Sequence, residues 1–181
     1  TDPTAGPVQP EDDTTAAPGV TCWVTGNPNV GPGFDPKSGD VDRGTAFIES
    51  PIFDGRGAGS LLLRYSRWFH RSNVGPLNEG SYRARLSNDG GASYVDVESL
   101  AVNAAAWQAQ EFDIAGKLPR TNNMRVRFEA TESQRSPGDP LVELTIDDVS
   151  VTKRDTVCAP FTPGETKLPN KVGNTLFVMR Q

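Results

Sequence analysis

One histidine and two cysteines are all that 181 residues offer a zinc site, which excludes most zinc chemistry before any motif is read. No apolar run approaches the roughly 20 residues that a bilayer span needs. Helical periodicity is also missing, which excludes a coiled coil and a helical bundle. Positive charge is in deficit: the net charge is -5 and the isoelectric point about 4.9, so binding to a nucleic-acid backbone through counterion release is disfavoured. Among catalytic signatures, G-x-S-x-G, a phosphate loop, a dinucleotide fingerprint and H-E-x-x-H are all missing.

Turn chemistry is abundant instead, with eighteen glycines and fifteen prolines. Residues 1–20 carry four prolines and no apolar period, and read as an extended arm. Thr1 opens a polar stretch without a basic or apolar signal region, as would a chain following a removed signal or cut from a longer one. From Thr21 short strands alternate with turns. Leu61, Leu63, Tyr65 and Phe69 alternate with Arg64, Ser66, Trp68 and His70, a half-buried strand. Tyr82–Leu86 and Met124–Ala130 alternate in the same way, and shorter strands fit Cys22–Thr25, Thr45–Phe53, Tyr94–Glu98 and Trp107–Ile114. The last long strand is Leu141–Thr152, and Leu100–Trp107 is the one helix-tolerant stretch. About eight strands at this spacing predict an all-β, two-sheet antiparallel β-sandwich, a jelly roll, over 21–152. Residues 153–181 are more basic and read as a tail or linker, with Thr175–Met179 able to add one strand.

Ser87-Asn88-Asp89-Gly90-Gly91-Ala92-Ser93-Tyr94 fits S-x-D-x-G-x-[ST]-[WY], which resembles the Asp box of secreted sugar-processing proteins. Its role there is structural: the carboxylate bonds turn amides while the glycines supply positive φ. Acidic residues gather early, at Glu11, Asp12 and Asp13 and again at Asp40 and Asp42 in a Gly-rich loop. Hard oxygen donors of that kind suit calcium, and equally a solvated acidic loop. In Val142–Val151 the alternation slips at Asp147-Asp148, as at a β-bulge, carrying one carboxylate inward. A metal or a network of N–H donors must answer it. The metal is the expected answer, most simply one calcium ion where Asp40, Asp42 and Asp147 or Asp148 converge, with Glu11, Asp12 and Asp13 near it.

Outward positions of the strands hold Arg64, Trp68, His70, Arg83, Arg85, Arg125 and Arg127. An arginine-rich face with an aromatic suits carbohydrate or acidic protein ligands, through stacking and bidentate bonds; a solvated or tail-covered sheet face has the same pattern. Trp68, Arg64, Arg85, Arg127 and His70 are the candidate ligand-binding residues. Cys22 and Cys158 flank the strand region, and a disulfide between them would clip its ends; two free thiols are the alternative. The acidic balance and scarce lysine favour an exported protein, secreted or at the cell surface.

The ordered series Gln9–Thr14, Cys22–Gly26, Asp40–Gly44, Glu49–Asp54, Arg64–Phe69 and Ile146–Val149 resembles the MAM-like jelly-roll domains of secreted bacterial proteins. Such domains accompany zinc carboxypeptidases, immune inhibitor A-type metallopeptidases and anchored surface proteins. The resemblance covers about residues 9–152. It implies a non-catalytic accessory module for adhesion or targeting, with a structural cation held by Asp40, Asp42, Asp147, Asp148 and the early Glu11, Asp12 and Asp13. Where related animal domains often carry a histidine, Thr14 stands here. A small polysaccharide-acting hydrolase, whose paired carboxylates sequence spacing does not reveal, and a structural spacer are the competing readings.

Overall fold

Side chains that alternate at period two can bury one face only by pairing into sheets, and nearly every such segment of the chain does so. The computed structural model describes residues 9–10, 13–15, 19, 21–26, 41, 44–57, 59–71, 80–132 and 141–154, and the backbone of 173–179. The strands are β1 (Trp23–Val24), β2 (Gly44–Glu49), β3 (Ser60–Arg71), β4 (Ser81–Ser87), β5 (Val95–Leu100), β6 (Ala104–Asp113), β7 (Arg125–Glu132), β8 (Val142–Arg154) and β9 (Gly173–Met179). No helix occurs among the described residues. One sheet runs β1-β8-β3-β6, with β9 also on β8; the other runs β2-β7-β4-β5, and every pairing is antiparallel.

The two sheets face each other across one core. Leu61, Leu63, Tyr65 and Phe69 of β3 with Leu144, Ile146, Val149 and Val151 of β8 meet Tyr82, Ala84 and Leu86 of β4 and Val126, Phe128 and Ala130 of β7. Tyr65 packs edge-on to Phe128, ring centroids 4.8 Å apart, which ties the layers at their centre.

The helix-tolerant stretch behaves differently from its composition. Ala104, Ala105 and Ala106 belong to β6, because Phe69 of β3 offers Ala104 a ladder partner and pairing outweighs alanine's helical preference. The segment suspected of a further strand does form one: β9 pairs with Val149–Arg154 of β8.

β1 takes Thr145 and Ile146, and β3 occupies the other side of β8, so β1 and β9 share one edge of that strand. Asp147-Asp148 lies between them. Here three residues of β8 (Asp147 to Val149) oppose two of β3 before the ladder resumes at Ser150, the bulge expected from the phase slip. Asp148 is the one described non-glycine residue with positive φ, at 51°. That left-handed conformation is easier for Asp than for most residues.

Candidate functional site

Asp147 is only 4% exposed, but the bulge does not carry it inward as the phase slip suggested, because the shift in parity comes only after it. Its burial is on the outer face of the sheet, in line with Thr145, and the N-terminal arm reaches it there. The Thr14 amide and hydroxyl both donate to Asp147 Oδ2 at 2.8 Å, and the Asp148 amide donates to Asp147 Oδ1. Asp148 accepts from the Thr14 and Thr15 hydroxyls, each at 3.0 Å. Asp13 folds back to accept the Thr21 amide at 2.9 Å. The network of donors, one of the two answers open to the sequence, is therefore present at Asp147.

No described lysine or arginine forms an ion pair with Asp13, Asp147 or Asp148. Cys22 feels the uncompensated charge: as a thiol it is pushed up to about 11, first by burial and then by Asp147 and Asp13. A thiol so placed is a poor source of thiolate. Among the described residues no three histidine, cysteine or carboxylate side chains are close enough to hold a metal ion. Glu11, Asp12, Asp40 and Asp42 lie outside the described residues, as does Cys158, the proposed disulfide partner of Cys22. The fit to a cation at the junction is partial: Asp147 Oδ1 and Asp148 Oδ1 each accept one bond and keep a lone pair.

The five candidate ligand-binding residues do not share a surface. Arg64, Trp68 and His70 stand on the outer face of β3 in one sheet, whereas Arg85 of β4 and Arg127 of β7 stand on the outer face of the other. Period two gives a side chain's orientation within its own strand and says nothing of which sheet the strand joins, so the single arginine face is corrected to two opposed ones. The forks are also engaged. Arg64 Nε donates to Glu111 at 2.6 Å; Arg85 spans Asp96 at 3.0 Å and Glu129 at 3.3 Å. Trp68 meets Trp107 edge-on, with centroids 6.3 Å apart. His70 is half-buried and its proton affinity is lowered by that burial.

On the β2-β7-β4-β5 sheet the outer face is organised around Glu49. It accepts from Arg127 Nη2 and Arg125 Nη1, each at 2.6 Å, and from the Tyr94 hydroxyl. The Arg127 guanidinium lies between two rings, 4.3 Å from the centroids of both Phe47 and Tyr94. Tyr94 comes from the Asp-box turn, which forms as its sequence requires. Asp89 accepts from the Ser93 amide and hydroxyl, Ser87 Oγ accepts from the Gly91 amide, and Gly90 and Gly91 take φ of 77° and 105°. The turn thus aims an aromatic at the arginine stack, a positioning role.

Glu49 is held down from 4.5 to about 2, foremost by the Tyr94 hydroxyl and then by Arg127 and Arg125, against the opposing pull of burial. A depressed carboxylate contributes stability above its unfolded value and loses it as pH falls through the folded one. Stability is therefore expected to fall between about pH 4.5 and pH 2, and Glu49→Gln should flatten that part of the curve. Urea unfolding at stepped pH measures it; identical slopes in the two proteins would contradict the assignment.

Sequence reasoning missed several buried charged groups, Arg67, Arg71, Glu132 and Glu143 among them. Arg67 shares the inward row of β3 with Tyr65 and Phe69, is 4% exposed, and holds Glu98 through Nε at 3.0 Å and Nη2 at 2.7 Å. The Tyr65 hydroxyl donates to the same carboxylate at 2.5 Å, and the guanidinium sits 5.7 Å from the Tyr82 ring centroid. The parity of β3 could have found Arg67. Glu98 could not have been found so: a register shift between Ala84 and Arg85 puts it opposite inward Ala84, against the alternation of Val95 and Val97.

In comparison with known proteins, no protein-family model matches the chain and no curated protein matches it.

Proposed function

We propose that the chain is a non-catalytic accessory module of an exported bacterial protein, stabilised by calcium and serving to bind protein or carbohydrate. The observation that carries the reading is the Asp147-Asp148 junction. A left-handed aspartate, Asp148, and a buried one, Asp147, adjoin at the bulge where the arm is fastened, the arm itself carries Asp13, and no cationic side chain of the described residues is paired to any of them. A hard cation is the natural complement of such oxygens. Asp147 and Asp148 would hold it, together with Asp40, Asp42 and the early Glu11, Asp12 and Asp13. Bound there, calcium supplies charge neutralisation and joins arm, strand edge and acidic loop.

Support for a scaffold role comes from the polar side chains. Arg64, Arg85 and Arg127, which the sequence offers for recognition, spend their forks on Glu111, Asp96, Glu129 and Glu49. The strand orders β1-β8-β3-β6 and β2-β7-β4-β5 support the jelly-roll form of the MAM-like domains that the sequence resembles. The test is an array of polysaccharides and extracellular proteins probed with the calcium-loaded protein, with product release assayed on the same panel. Retention without product is the expected result. Release of reducing ends or peptide fragments would overturn the non-catalytic reading, and neither retention nor release would leave a spacer.

A further inference from the structure

We infer that the open edge of β2 and the cavity beside it form a docking site for an extended segment of a partner protein, which adds as a strand and seats one apolar side chain in the cavity. This rests on the reading of the chain as a binding module and narrows its ligand to protein.

The edge comes first. β2 is the terminal strand of its sheet, and among the described residues only β7 pairs with it. The Ser50 amide donates to the Val126 carbonyl, which continues the β2–β7 register and points the amides and carbonyls of Ala46 and Ile48 toward β7. Those of Thr45, Phe47 and Glu49 therefore point away from the sheet. Edges are ordinarily guarded by lysine, proline or a bulge. β2 reads GTAFIE and has none of them; its one charge, Glu49, is bound to Arg125 and Arg127 on the outer face, and Phe47 is 57% exposed.

The cavity comes second and independently. It has a volume of about 230 Å³ and opens between β1 and β2, where the margins of the two sheets stand side by side. Trp23 and Val24 form one lip, Ala46 and Ile48 the other, and Phe128 and Ile146 the floor. Thr25 brings the one side-chain hydroxyl, and the Glu143 carboxylate engages it. Ala46 and Ile48 share the inward parity of β2, so a strand laid along that edge turns every second side chain toward the same space.

Together the two features select the occupant. An unpaired edge asks for a main chain in extended form, and an apolar cavity asks for an aliphatic or aromatic side chain. A sugar ring would leave its hydroxyls facing Ala46, Ile48 and Phe128 without partners. Backbone bonds to Thr45, Phe47 and Glu49 would supply affinity, and the cavity would supply selectivity.

The experiment uses the whole chain and an array of synthetic decapeptides in a Ser/Thr/Ala host, one central position being Ala, Leu, Phe or Asp, read by fluorescence polarisation. Leu and Phe peptides should bind about tenfold more tightly than the Ala peptide, and the Asp peptide least. Thr45→Pro removes an amide that points off the edge and spares the β7 ladder; Ala46→Leu fills the cavity from within. Both should lower peptide affinity about tenfold or more, with the melting temperature of Ala46→Leu unchanged or higher. Equal binding of all peptides, or unaltered binding by both variants, would overturn the inference. So would a dimer seen in sedimentation and abolished by Thr45→Pro, which would assign the edge to a second copy. Glycan binding with silent peptides would overturn it while leaving the binding-module reading intact; silence toward peptides, proteins and glycans alike would sink both.

Discussion

Replacing Glu98 with alanine is expected to destabilise the protein by about 3–5 kcal/mol, several times what the loss of an exposed ion pair costs. Arg67 would be left charged between the sheets, 4% exposed, with Nη1 already lacking a hydrogen-bond partner. The cost lies in the stranded guanidinium rather than in the lost attraction, because desolvating two ions takes back most of what their pairing gives. Burial foremost, with the Glu98 charge second, raises the Tyr65 hydroxyl far above its usual range, so that group stays a neutral donor and cannot relieve Arg67. The double exchange Arg67→Met with Glu98→Leu removes both ions and should recover most of the loss. Urea unfolding of the two variants separates the cases. A Glu98→Ala loss below about 0.5 kcal/mol would show that the pair is solvated and the inward reading of Arg67 wrong.

Asp147→Ala is expected to cost about 1.5–3 kcal/mol and to loosen the N-terminal arm. The carboxylate accepts the Thr14 amide, the Thr14 hydroxyl and the Asp148 amide, all at 2.8 Å, and charged acceptors make the stronger bonds. Hydrogen exchange at Thr14 should accelerate sharply, and protease should gain access to residues 9–21. Asp148→Gly provides the contrast. It loses the bonds from the Thr14 and Thr15 hydroxyls but relieves a φ of 51°, so its net change should be smaller. If the two variants lose equal stability and the Thr14 amide exchanges no faster in Asp147→Ala, the arm is fastened elsewhere.

Much of the fold is legible in the sequence because period two leaves a mark on every strand whose inner face is apolar. β3, β4, β7 and β8 carry that mark, and the slip at Asp147-Asp148 marks the bulge as well. Ala104–Ala106 carry none, since three alanines have no alternation to show, and their strand state comes from pairing with β3. The candidate site was less legible. Alternation placed Arg64, Trp68, His70, Arg85 and Arg127 outward without telling the two sheets apart, and it took no account of Glu111, Asp96, Glu129 and Glu49, the acids that occupy the arginine forks. The sequence pointed to one inward carboxylate of the Asp147-Asp148 pair; that it is Asp147, buried on the outer face under the arm, was not legible, because contact between Thr14 and Asp147 spans 133 residues and leaves no local pattern. The cavity between β1 and β2 arises from the meeting of two sheet margins, a property of the assembled layers alone.

Thermal unfolding of the wild-type protein after chelator treatment, with and without added calcium, tests the proposed calcium stabilisation most directly. A cation that binds only the folded chain, supplied at about a hundred times its dissociation constant, should raise the melting temperature by about 5–10 °C. Magnesium at the same concentration should do less, since it dehydrates reluctantly and demands stricter geometry. The same melting temperature in chelator and in saturating calcium would contradict the account and leave the Asp147-Asp148 junction as a clasp made of hydrogen bonds alone.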